Sequence, residues 1–119
     1  MAVKFSPNGW MRWLRQFVNQ AATLHLMTRR DGKLIEVDDA QYGRAVFVGA
    51  QWNLGMRGTV VSAAYPALTW RFAAPIELAG YEVRDKDGDV IWSEEYPIVP
   101  GMTVTIHELE PVIEMETDG

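Results

Sequence analysis

Trp10, Trp13, Leu14, Phe17 and Val18 fall at i, i+3, i+4, i+7 and i+8, the spacing of one apolar stripe on a helix over about residues 8–20. Arg12, Arg15, Gln16 and Asn19 lie outside that stripe. Ser6 before Pro7, or Asn8 before Gly9, supplies the N-cap. Two tryptophans and a phenylalanine in so short a helix must pack on something, either the sheet of the same domain or a partner.

Beyond Ala21-Ala22 the period shortens to that of strands. A strand is predicted over Thr23–Thr28, closed by the turn Arg30-Asp31-Gly32-Lys33. Shorter strands follow at Arg44–Val48 and Thr59–Val61, with glycine-containing connections at Gly49, Gly55 and Gly58. Leu68-Thr69-Trp70-Arg71-Phe72 alternates strictly and places Leu68, Trp70 and Phe72 on one face. Leu78–Arg84 and Val90–Tyr96 flank Asp85-Lys86-Asp87-Gly88-Asp89, a hairpin signal because Asp and Gly accept the positive φ of a tight turn. Trp70, Phe72, Tyr81 and Trp92 are expected to share one core. Pro97 and Pro100-Gly101 end the second hairpin strand, and Thr103–Ile106 alternates again. About seven short strands and one helix predict a mainly β fold, an antiparallel sandwich or small barrel. The predicted organisation is a single domain over residues 1–110 and an acidic C-terminal arm over 111–119.

Composition narrows the function more than the fold. With 119 residues, 48% hydrophobic and 23% charged, the chain is in the globular range. It contains no cysteine, which excludes disulfides, thiolate metal sites and cysteine nucleophiles. The helix stripe is interrupted by Arg12, Arg15 and Gln16 and resembles no signal peptide, and no apolar run reaches membrane-spanning length, so a soluble protein made in the cytosol is expected. A net charge of −5 argues against general affinity for nucleic acid. The charge is nevertheless polarised along the chain. Residues 1–30 carry Lys4, Arg12, Arg15, Arg29 and Arg30 and no acid, whereas residues 106–119 carry Glu108, Glu110, Glu114, Glu116 and Asp118 and no Lys or Arg. Arg12, Arg15, Arg29, Arg30, Glu108, Glu110, Glu114 and Glu116 are therefore the candidate partner-binding residues, through head-to-tail or lattice contacts, with a merely solvated surface as the plain alternative.

Catalytic constellations are scarce. His25 and His107 both lie in predicted strands without the neighbouring His or Cys of a metal site or nucleophile pair. Asp85, Asp87 and Asp89 superficially resemble a calcium loop, but the twelfth position from Asp85 is Tyr96 rather than an acidic ligand. Phosphate-binding, dinucleotide-binding and nucleophile-elbow motifs are missing, and the only serines are Ser6, Ser62 and Ser93. Glu94-Glu95 carries no weight among sixteen acids. The five tryptophans suit core packing better than a sugar platform. The expectation is a binding protein, not an enzyme, without cofactor or metal.

The order of signals carries a resemblance. The helix and first strand are followed by Tyr42-Gly43-Arg44, Trp52, Ala64-Tyr65-Pro66-Ala67-Leu68-Thr69-Trp70-Arg71-Phe72, Ile76 to Tyr81, and Asp87-Gly88-Asp89-Val90-Ile91-Trp92-Ser93-Glu94-Glu95-Tyr96. From about Trp10 to Leu109 this resembles a family of small tailed-bacteriophage virion proteins, in which the patterns "tYP..tfsf", "i.Gy.v.d..G..lW.e.f" and "g.t..i.p.l" recur. The chain departs from that pattern in its acidic segment after Pro111 and in the charged segment Arg29–Asp39. The resemblance implies a structural protein of the virion, most simply a capsid decoration or cement protein. Its partners would be the major capsid protein or other virion proteins and further copies of itself, in a trimer, with no nucleic acid or membrane. The alternative it implies is a tail, neck or fibre-associated protein, including a receptor- or glycan-binding module.

Overall fold

The computed structural model describes residues 3–98 and 103–117; Pro100-Gly101 and Asp118, named above, lie outside the described residues. The fold is mainly β, with three antiparallel sheets and one N-terminal helix, and none of the sheets closes into a barrel. Where one domain and an arm are expected, the contacts gather into two units, each built from separated segments. The first comprises Met1–Gln20, Val48–Ala67 and Glu110–Gly119, and the second Ala21–Phe47 and Leu68–Leu109.

In the first unit, helix α1 (Pro7–Val18) begins where Ser6 accepts a hydrogen bond from the Gly9 amide at 3.1 Å, satisfying one of the donors a helix start leaves over. The three-stranded sheet has the order β10-β5-β4, from β4 (Asn53–Arg57), β5 (Val60–Ala64) and β10 (Val112–Glu116). Helix α1 packs on β5 and β4. Leu14, Val18, Trp52, Val61, Ala63 and Tyr65 are buried, and the Trp52 and Tyr65 rings meet edge to face at 5.1 Å. The Tyr65 hydroxyl accepts from the Val48 amide at 2.9 Å. The expected arm after Pro111 is thus corrected: Val112 to Glu116 pair residue for residue with Ala64 to Val60. Pro111 is itself fully buried and its carbonyl takes the Tyr65 amide.

The second unit holds the order β2-β1-β7-β8, with β1 (Thr23–Arg30), β2 (Lys33–Glu36), β7 (Gly80–Arg84) and β8 (Val90–Glu95), while β3 (Ala45–Val46) pairs beside the start of β1. Leu24 to Met27 are buried without a break, the pattern of a strand covered on both faces. A second, two-stranded sheet pairs β6 (Leu68–Glu77) with β9 (Thr103–Leu109). The register slips between Arg71 and Ile76, and Pro75, which has no amide to give, sits inside that irregularity. The Asp39 carboxylate takes the amides of Ala73 and Ala74 there, at 3.1 and 3.4 Å. His107 Nε2 lies 3.1 Å from the carbonyls of both Ile76 and Val104, so this nitrogen is the protonated donor. Of the four expected core aromatics, Trp70, Phe72 and Tyr81 are buried and Trp92 is half-buried. The hairpin at Asp85–Asp89 is formed as expected. Gly88 has φ +86°, and the Asp85 carboxylate accepts from the amides of Asp87 and Asp89 at 2.9 and 3.0 Å.

Candidate functional site

The eight candidate partner-binding residues separate into two sets. Arg12 and Arg15 on α1, Glu110, and Glu114 and Glu116 on β10 belong to the first unit and are exposed. Arg30 and Glu108 are exposed in the second unit, on β1 and β9. Arg29 is the exception, because its guanidinium is engaged within the chain. It is mostly buried, pairs with Glu77 at 2.5 Å and Glu95 at 3.5 Å, and donates to the Tyr96 carbonyl. A largely buried guanidinium with this many acceptors ties β1 to β6 and to the end of β8.

The surface of α1 carries the most unusual grouping. Its predicted apolar stripe divides in two: Leu14 and Val18 are fully buried, but Trp13 remains 43% exposed and Phe5, in the lead-in, 44%. The rings form a continuous series, Phe5 to Trp10 at 4.9 Å, Trp10 to Trp13 at 6.0 Å, and Trp13 stacked on Phe17 at 5.3 Å. Phe5 and Trp13 are exposed and Trp10 and Phe17 partly so, and an aromatic surface of this kind has the composition of an interface centre, where aromatics are enriched. The sequence identified the load, and the period of Trp10, Trp13 and Phe17 against Leu14 and Val18 contained the division.

A second cluster, in the other unit, has the chemistry of a polar clasp. His25, only 3% exposed, has Nε2 2.8 Å from the Thr23 hydroxyl and Nδ1 3.2 Å from Glu36 Oε2, the latter outside hydrogen-bonding alignment. The same Glu36 accepts from the Tyr42 hydroxyl at 2.6 Å and from Arg44 Nε and Nη2 at 2.8 Å each. The Tyr42 hydroxyl in turn accepts the Leu26 amide at 3.1 Å. Arg44, with Tyr42 assisting, holds the Glu36 carboxyl down to about 2 against the opposing effect of burial. Burial lowers the His25 pKa despite Glu36 beside it. The order hydroxyl, imidazole, carboxylate is that of a nucleophile relay. Here Glu36 also accepts from Tyr42 and Arg44, and the network continues to the backbone of β1 through the Leu26 amide. Sequence reasoning missed Glu36 and the role of Tyr42 and Arg44; a histidine inside the apolar run Leu24–Met27 was the one signal that polar partners had to exist.

This cluster predicts acid sensitivity. The folded His25 resists a proton that the unfolded chain accepts below its ordinary 6.5, so stability falls as pH drops through that value. Glu36 acts lower: its contribution is complete above 4.5 and is lost as pH falls from there toward 2. With its carboxyl partly solvated, about 2 kcal/mol is expected from this second window. Urea unfolding followed between pH 7.5 and 2.5 should show both windows, and Glu36→Gln should abolish the lower one while sharpening the upper, because Glu36 raises the His25 pKa.

Among the described residues no group of three or more His, Asp or Glu is placed to hold a metal ion, and no helix is long and apolar enough to cross a membrane. Comparisons with protein-family models, with curated proteins and with solved structures find no match to this chain.

Proposed function

We propose that this chain is a structural protein of a tailed-bacteriophage particle, bound to the head lattice as a decoration protein through the aromatic face of α1. The observation that carries the reading is the continuous ring series Phe5, Trp10, Trp13 and Phe17, of which Phe5 and Trp13 are exposed and Trp10 and Phe17 partly so. A docking protein needs a stable scaffold and a surface whose burial releases free energy, not an active site. Aromatic area supplies that at about 25 cal/mol per Å² buried, and repetition of weak contacts on a symmetric lattice multiplies it. The order of motifs from Trp10 to Leu109 supports the particle setting. The exposed aromatics named here lie on a helix and its lead-in rather than at the tips of strand-connecting loops, which favours a protein surface over a glycan as ligand.

Quantitative mass spectrometry of purified particles tests the setting: hundreds of copies indicate the head, a dozen or fewer the tail or neck, and absence overturns the particle reading. Trp13→Glu tests the face. Since Trp13 is 43% exposed, the variant should fold while its retention on particles falls at least tenfold, and this loss should persist in high salt, which screens charges but not an apolar contact. Unchanged retention would remove α1 from the interface.

A further inference from the structure

The sheet of the first unit ends on both sides in an open strand. Hydrogen bonds from the Tyr65 amide to the Pro111 carbonyl and from the Thr117 amide to the Thr59 carbonyl set its alternation. In an antiparallel pair, residues alternate between bonding to the partner and facing away. Ile113 and Met115 therefore direct their amide groups to β5, and Val112, Glu114 and Glu116 direct theirs outward. The same alternation continued across β5 turns Asn53, Gly55 and Arg57 of β4 inward and Leu54 and Met56 outward. Neither outer edge pairs with another strand among the described residues. Val112 and Met56 are 43% and 42% exposed. Open edges of this kind are templates for a further strand.

We propose that β4 of one copy pairs in parallel with β10 of a second copy of this chain, so that the sheet continues from copy to copy. Both strands run antiparallel to β5 and hence parallel to each other, so the edges can meet head to tail without inverting a copy. Their phases agree. In a parallel ladder one residue bonds to two residues flanking its opposite, so Leu54 bridges Val112 and Glu114 of the second copy, and Met56 bridges Glu114 and Glu116. In that register Leu54 and Met56 lie beside Ile113 and Met115 of the second copy, on the face that carries Val61 and Ala63. A hollow of about 370 Å³ lined by Met11, Arg12, Arg15, Gln16 and Leu54 lies where that Ile113 arrives. On the other face Arg57 falls opposite Glu116 of the second copy, and Gly55 leaves room beside its Glu114.

Charge selects this partner over the symmetric alternative. Two β10 edges meeting antiparallel would set Glu114 against Glu114, which is destabilising, whereas β4 against β10 places a base opposite an acid. The proposal goes beyond the particle reading, and its test in solution stands whether or not the chain is found on particles.

Sedimentation velocity of the purified full chain over a wide concentration range is the measurement. The wild type should associate reversibly. Arg57→Glu and Glu116→Arg, each alone, should weaken association about tenfold by placing like charges opposite one another, and an equimolar mixture of the two should restore it, since every contact between unlike copies is then complementary. Glu114→Pro removes an outward amide that the chain's own sheet does not use, so it should abolish association at an unchanged unfolding temperature. Should that variant fold poorly, the mixture of charge-reversed chains still decides. A wild type that stays monomeric throughout, association indifferent to both reversals, or a mixture that fails to recover would each overturn the proposal.

Discussion

Trp70→Ala is expected to lower stability by about 3–5 kcal/mol, a large share of what a chain of this size possesses. The indole is 7% exposed on the β6 face it shares with Phe72, and its Nε1 donates to the Gly43 carbonyl at 2.8 Å. Truncation removes apolar burial, opens a cavity and leaves that carbonyl without its donor. Trp70→Phe separates these contributions: it keeps most of the apolar volume and loses the hydrogen bond, so a cost of about 1–2 kcal/mol is expected. Denaturant unfolding by circular dichroism gives both values, and an unchanged midpoint for the alanine variant would place Trp70 outside the core.

Gly80→Ala should be comparably damaging for a different reason. Gly80 opens β7 between β1 and β8 with φ +155°, and a Cβ there would come within 2.1 Å of the Glu94 carbonyl oxygen and 3.0 Å of the Glu95 Cα. Those are backbone atoms of a paired strand and cannot step aside as a side chain can. Either β8 leaves its pairing or Gly80 changes conformation, so a loss of at least about 3 kcal/mol is expected. Gly88→Ala is the control. Its φ is also positive, +86°, but nothing lies within 4 Å of the added carbon, so only the conformational cost of about 1 kcal/mol applies. Thermal unfolding of the two variants should differ widely; equal effects would mean that the close approach at Gly80 is relieved at no cost.

These positions show which parts of the molecule local pattern could reveal. Trp70 and Phe72 alternate along one strand, and the Asp85–Asp89 turn carries its own geometry, so both were legible within a few residues. Strand β10 was not read, although Ile113 and Met115 alternate with Glu114 and Glu116, because Pro111 and the density of acids suggested a solvated arm. A strand whose outer face meets water tolerates those glutamates. The intrachain pairing of Arg29 was not legible, because burial of a charge depends on where its acceptors come from, and Glu77 and Glu95 lie 48 and 66 positions away. The aromatic face of α1 was recognised as a load in need of cover. Which rings turned inward depended on β5, whose extent the sequence reading cut short at Val61 where the strand runs to Ala64.

The interleaving of the two units along the chain bears on biogenesis. Strand β5 is made early, with β4 and α1, but its other neighbour β10 follows only after all of Leu68–Leu109. During translation the helix and the β4–β5 hairpin can assemble by local contacts, while the β5 edge destined for β10 stays vacant until the whole intervening unit has been produced. Pairings between residues this far apart form slowly, because the ends of a long intervening loop must first be brought together. For that interval a nascent chain displays an unsatisfied strand beside Val61 and Ala63, and crowding of ribosomes on one message would set such chains next to each other. Slower growth of the chain before residue 112 would prolong this exposure, a chaperone that shields extended segments would cover it, and yield of soluble protein should respond to expression temperature.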